Sequence, residues 1–127
     1  MKQLIKPSPM REKSMNLAIR IVNLYKHLVG EKKEYVLSRQ LLKSGTSIGA
    51  NIREAQNGES SADFIHKLGI AQKETDETLY WLELLQKTEY ISEAAFQSIY
   101  QDTEEILRMI RSAILTKKES KLLDSFR

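Results

Sequence analysis

The chain has 127 residues, enough for one domain that buries about two thirds of its unfolded surface without help from a metal or a disulfide. It holds no cysteine, which excludes a disulfide framework and cysteine-ligated zinc or iron–sulfur sites and leads us to expect a reducing, cytoplasmic setting. Twenty Lys/Arg against 17 Asp/Glu leave a net charge of only +3, and apolar runs broken by charges such as Arg20 and Glu83 fall far short of the roughly 20 residues that cross a bilayer.

Residues 1–8 read as an N-terminal arm. Its apolar pair Leu4-Ile5 is far too short for a signal-peptide core, so no secretion signal is expected. Pro7 and Pro9 are the only prolines, and Ser8-Pro9 reads as the N-cap and first residue of a helix. From there Leu17, Ile21, Leu24 and Leu28 form one apolar stripe and Ala18, Val22, Tyr25 and Val29 its neighbour, with Gly30 ending the helix. Glu31-Lys32-Lys33-Glu34 reads as a solvated connection. A second helix begins between Val36 and Ser38 and carries Leu37, Leu41, Ile48, Ile52 and Ala55 at steps of three or four residues, with Gly58 as its expected C-cap.

Ser60 or Ser61 caps a third helix, with Asp63 in its first turn against the helix dipole. Phe64, Leu68, Ala71, Thr75, Thr78, Leu82 and Leu85 follow at heptad-like spacing, predicting about 27 residues and a length of roughly 40 Å. After the short link Thr88 to Ile91, Ser92 caps a fourth helix with Phe96, Ile99, Thr103, Ile106, Ile110 and Ala113 on one side. Residues 118–127 read as a charged C-terminal tail. Four amphipathic helices with short links and no strand signal specify one all-α domain, an antiparallel up-down-up-down four-helix bundle.

The second helix holds the chain's most informative run, Ser44-Gly45-Thr46-Ser47-Ile48-Gly49-Ala50-Asn51-Ile52-Arg53-Glu54. Each glycine inside a helix costs about 1 kcal/mol relative to alanine. Two of them four residues apart point to close backbone contact with another helix, along a strip of Ser44, Gly45, Ser47, Gly49 and Ala50. Spacing alone does not say whether that neighbour belongs to the same subunit or the next. A phosphate-cradling loop would need a strand before the glycines, and here helix lies on both sides.

The chemistry-bearing residues are sparse. Bundle cores can hold di-iron sites built on Glu-x-x-His pairs, but the nearest approach here is Asp63-x-x-His66, and His27 has no matching carboxylate. Nucleophilic catalysis needs a base within hydrogen-bond reach, and neither histidine supplies one. The expectation is therefore no enzyme, no cofactor, no metal and no small-molecule substrate.

Trp81 lies off the main stripe of the third helix, with Ile70, Glu74 and Glu77 on its side and Tyr80 beside it. It belongs either to an interface or to a wide core. The charge is uneven: residues 1–53 carry eleven Lys/Arg against three Asp/Glu for a net +8, residues 54–107 three against twelve for −9, and residues 108–127 six against two for +4. Such asymmetry serves either a nucleic-acid surface or the packing of basic helices beside acidic ones. Arg39, Lys43, Arg53, Arg108 and Arg111 are the candidate phosphate contacts, the alternative being ion pairs with Glu54, Glu74 and Glu77.

The stretch Leu37 to Glu54, through Gln40, Ser47-Ile48, Asn51-Ile52 and Glu54, resembles the signature of the bacterial 23S rRNA intervening-sequence proteins, also called four-helix bundle proteins. Phe64-Ile65-His66-Lys67-Leu68 and Thr78 to Leu85 are similar to that family's third helix. Two positions depart: the family often has proline where Gly49 stands and glycine where Ala55 stands, so here the helix is expected to run on to Gly58. The resemblance implies a homo-oligomeric bundle, usually a pentameric ring, with no established enzymatic activity. Asn51 and Glu54 are then structural polar groups, hydrogen-bonded within or between subunits, and the glycine strip and Trp81 supply contacts. The alternatives are an RNA-binding module using basic surface multiplied by the ring, or a scaffold for a nucleic-acid enzyme such as a reverse transcriptase.

Overall fold

The computed structural model describes residues 8–127, so of the expected arm only Ser8 is among them. Four helices follow in order: α1 Pro9–Gly30, α2 Leu37–Gln56, α3 Ser61–Lys87 and α4 Glu93–Asp124. Serine hydroxyls start three of them. The Oγ atoms of Ser8, Ser60 and Ser92 accept from the backbone N–H groups of Arg11, Asp63 and Ala95 at 3.2, 3.1 and 3.2 Å, satisfying donors that a helix start leaves unpaired.

α2 begins differently, and here the expected solvated connection is corrected. Its N-cap position holds Val36, which offers no side-chain acceptor. Glu34, only 8% exposed, reaches forward instead, and its carboxylate accepts from the N–H groups of Val36, Leu37 and Ser38 at 3.1, 3.0 and 2.6 Å. Ser38 Oγ returns a bond to the Glu34 carbonyl at 2.8 Å. Burial alone would push this carboxyl up, but the hydrogen bonds from Leu37, Ser38 and Val36 outweigh it and hold it below the usual range.

The far ends also differ in part from expectation. α2 continues through Ala55 but stops at Gln56 with Asn57 as its C-cap, short of Gly58. Gly58 serves space rather than a left-handed turn: a Cβ there would lie 2.5 Å from Asp63 Oδ2. α3 closes with a Schellman pattern, Tyr90 N–H to the Leu85 carbonyl at 2.9 Å and Glu89 N–H to the Gln86 carbonyl at 3.0 Å. Glu89 therefore takes the left-handed position, φ 68°, that glycine usually fills. The segment expected as a charged tail is helical as far as Asp124, and residues 118–127 are exposed throughout.

Contacts run α1–α2, α2–α3, α3–α4 and α4–α1, with the diagonal pairs apart, which is a square bundle. All four neighbours are antiparallel. Gln56 Nε2 donates to Ser8 Oγ at 2.7 Å across α1–α2, and Lys67 pairs with Glu54 at 3.2 Å across α2–α3. Tyr100 Oη meets Glu83 Oε2 at 3.2 Å across α3–α4, and Lys13 pairs with Glu105 at 2.7 Å across α4–α1. The core is one apolar cluster including Leu17, Ile21, Leu41, Ile48, Leu82 and Ile110. Each such fully buried side chain stabilises the fold by about 1.5–3 kcal/mol.

Candidate interaction surface

The small-residue strip of α2 divides between two neighbours. Gly45 is closed in by α1: a Cβ there would sit 2.9 Å from both Cγ1 and Cγ2 of Ile21. Gly49 also faces α1, its virtual Cβ lying 3.3 Å from Ser14 Oγ. The close approach of these two glycines is thus made within the chain. Ser44 turns the other way, where its Oγ lies 3.0 Å from Thr78 Oγ1 of α3.

Farther along the helix the polar side chains serve their own backbone. Ser47 Oγ donates to the Lys43 carbonyl at 2.7 Å, and Asn51 Nδ2 donates to the Ser47 carbonyl at 2.8 Å. Glu54 is solvent-facing and pairs with Lys67. Ala50 is exposed, and with Met15, Ala18, Thr46 and Gly49 it borders an open groove of about 500 Å³ between α1 and α2.

Trp81 is half-buried and packs on the core cluster, with the Tyr80 ring edge-on at 5.0 Å. Its Nε1–H is fully buried without a hydrogen-bond partner among the described residues. On the same side of α3, burial and then the Glu77 carboxylate push the Glu74 carboxyl up, against a pull from Lys43 and Lys73.

Arg39, Lys43, Arg53, Arg108 and Arg111 are all exposed, and none forms an ion pair among the described residues. The fold separates them, since α2 and α4 occupy opposite corners of the square. Arg53 joins Arg11 beside the start of α1, in an open groove that also includes Ser8, Gln56 and Asn57. Arg108 lies instead by a groove with Phe64 and Lys117, whose ammonium sits 4.9 Å from the Phe64 ring centroid.

Periodicity did not single out the exposed apolar side of the α4 end. Leu115, Leu122, Leu123 and Phe126 are 61%, 60%, 62% and 79% exposed. The spacing of Leu115, Leu122 and Phe126, seven and then four residues, is the signal that was there to find. His27 and His66 are exposed at opposite ends of the bundle. Among the described residues no cluster of three or more His, Asp or Glu could hold a metal, and no helix is long and apolar enough to cross a membrane.

Comparison with known proteins agrees with this architecture. A family model described as 23S rRNA-intervening sequence protein matches residues 8–112. A crystal structure of a protein of unknown function from the S23 ribosomal protein family of Bacteroides thetaiotaomicron is 58% identical to the chain. The match covers 83% of this chain and 97% of that one, with a TM-score of 0.82. No curated protein matches significantly.

Proposed function

The chain belongs to the 23S rRNA-intervening sequence protein family, and we propose that it is a non-enzymatic protein that works by assembling with copies of itself into a ring, five subunits being the number the resemblance implies. One observation carries the reading: Leu115, Leu122, Leu123 and Phe126, each at least 60% exposed, lie close together at the C-terminal end of the chain, whereas the other exposed large apolar residues, Met15, Ile19, Tyr35, Val36 and Tyr80, are spread over α1, the link before α2 and α3. Exposed apolar surface of this kind marks an association site. The buried hydroxyls are occupied structurally, since Thr75 and Thr103 donate to main-chain carbonyls four residues back. The cytoplasm is the setting this proposal takes, on a sequence without cysteine.

The test is a chain carrying Leu115→Ser, Leu122→Ser and Phe126→Ser, whose mass is followed by light scattering behind size exclusion. These positions are exposed, so the fold survives and the assembly weakens. A triple variant that assembles as the parent does removes the reading.

A second reading, an RNA-binding module, is favoured by the five exposed cations that form no ion pair among the described residues. A ring would repeat them around its surface. Filter binding to structured RNA should then fall steeply as salt rises, through counterion release, whereas no binding at low salt discards it. The related role, a scaffold for a nucleic-acid enzyme such as a reverse transcriptase, would show as a co-purifying enzyme.

A further inference from the structure

Two sides of the square share α2 and differ in character. On the α1–α2 side, Arg11, Met15, Ala18 and Val22 follow one another along α1 at steps of four, three and four residues, and Arg39, Thr46, Ala50 and Arg53 along α2 at seven, four and three, so each set keeps to one helical face. All but Val22 and Arg39 border the open groove between these helices. Met15 and its neighbour Ile19 are 45% and 52% exposed. Arg11, Arg39 and Arg53 form no ion pair among the described residues, and the one carboxylate bordering the groove, Glu54, pairs with Lys67 of α3.

That ion pair marks the α2–α3 side. From Lys67, the residues Ile70, Glu74, Glu77, Trp81 and Leu84 follow along α3 at steps of three, four, three, four and three, again one helical face. Ile70, Trp81 and Leu84 are half-buried, and neither Glu74 nor Glu77 forms an ion pair among the described residues. Because Ser44 meets Thr78 and Glu54 meets Lys67, both carboxylates lie level with the stretch of α2 between Arg39 and Arg53.

We infer that assembly is head-to-tail: the basic, apolar α1–α2 side of one copy docks on the acidic, apolar α2–α3 side of the next. This rests on the self-assembling reading, and it adds to the C-terminal apolar residues a contact made wholly within residues 8–112, the stretch that the family model matches. In a ring whose axis runs along the helices, docking without sliding sets Glu74 and Glu77 between Arg39 and Arg53, and Met15 and Ile19 against Ile70 and Trp81. Charge then fixes which sides meet, and apolar burial supplies the affinity.

The geometry also closes. Two sides that share the α2 corner stand at about a right angle, so each docking turns the next copy by about 90° or somewhat less, and the series returns on itself after about four or five copies. Docking the α1–α2 side on itself would stop at two copies and crowd arginines together, which like-charge repulsion disfavours. Phosphates would engage the arginines but leave Met15, Ile19 and Ala50 in water, whereas a second copy covers them.

The test reverses charge on one side, on the other, and on both. One chain carries Arg39→Glu and Arg53→Glu, a second Glu74→Lys and Glu77→Lys, and a third all four changes. Far-UV circular dichroism verifies that each remains helical, and light scattering reads the mass. Each one-sided reversal should assemble at least about tenfold more weakly than the parent, as expected for like-charge contact. The fourfold chain should regain the parental mass, because its two sides are again opposite. A one-sided reversal that assembles as the parent does, or a folded fourfold chain that stays dissociated, would overturn the pairing.

Should a reversal unfold the chain, the absence of native cysteine permits a second measurement. Chains with Ala50→Cys or Lys73→Cys, one on each side and both exposed in the parent, are treated with a short bis-maleimide cross-linker. Linked pairs should form in their equimolar mixture and not in either chain alone. Linking within either chain alone as strong as in the mixture, or no linking in the mixture, would overturn the proposal. A parent that runs as a single chain would instead sink the self-assembling reading itself, so the two failures are distinguishable.

Discussion

Gly45 of α2 and Ile21 of α1 are in contact so close that a Cβ on the glycine would lie 2.9 Å from both Cγ atoms of the isoleucine. Ile21 is fully buried and branched at Cβ, so those atoms have no free rotamer to swing into. Gly45→Ala should therefore destabilise the protein by about 1 kcal/mol: overpacking of roughly 1–3 kcal/mol exceeds the gain in helix propensity of about 1 kcal/mol. At Gly69 of α3 an added Cβ meets nothing within 4 Å, so Gly69→Ala should stabilise by about 1 kcal/mol. Urea unfolding of both variants checks the contrast. Equal stabilisation by both would mean that α1 yields without cost.

The Ser44–Thr78 pair makes a second prediction. Each hydroxyl has one proton, and two acceptors are at hand, the Glu74 carbonyl 2.7 Å from Thr78 Oγ1 and the Leu41 carbonyl 3.3 Å from Ser44 Oγ. If Thr78 donates to the Glu74 carbonyl, the bond between the hydroxyls is donated by Ser44; if Ser44 donates to the Leu41 carbonyl, it is donated by Thr78. Thr78→Val should cost about 1 kcal/mol. Ser44→Ala added to it should cost less than Ser44→Ala alone, with a coupling of about 0.5–1 kcal/mol in a double-mutant cycle. Additive losses would show that the two hydroxyls do not bond.

Glu34 gives the fold a pH dependence of known sign. Its folded pKa lies below the unfolded value, so its contribution is complete above the ordinary carboxyl range and is lost as pH falls through the folded pKa. Glu34→Gln should lower stability by about 1–2 kcal/mol at neutral pH, as loss of a helix cap does. The gap between parent and variant should close in acid, below the usual carboxyl pKa. Thermal melts at neutral and acid pH measure it, and a gap that widens in acid contradicts the assignment.

Most of the fold was legible because its signals are local. Ser8-Pro9, Ser60 and Ser92 mark three helix starts, and stripes such as Leu17, Ile21 and Leu28 mark the buried side. The start of α2 was not legible, since its cap comes from Glu34, two residues before the N-cap position, within a run of charges that reads as solvated. The end of α3 was legible too, since the link expected from Thr88 to Ile91 begins where the helix stops at Lys87, although Glu89 takes a left-handed position that glycine usually fills. The partner of Glu54 is Lys67 rather than an arginine of α2 or α4, because which residues face each other across helices depends on register that periodicity does not carry. The scattering of the five candidate cations over opposite corners of the bundle escaped the sequence for the same reason.

Trp81 offers a fourth prediction. Its buried N–H, without a partner among the described residues, costs about 1–3 kcal/mol of desolvation. Trp81→Phe removes that donor while keeping a ring on the core, so stability should stay within about 1 kcal/mol of the parent. A loss beyond about 3 kcal/mol in urea unfolding would mean that the indole N–H has a bonded partner.

Self-assembly is tested most directly by sedimentation equilibrium on the full chain, diluted stepwise from micromolar concentration. The account predicts a mass that is one fixed multiple of the single chain at the upper concentrations, falling on dilution. A mass equal to one chain at every concentration would contradict it.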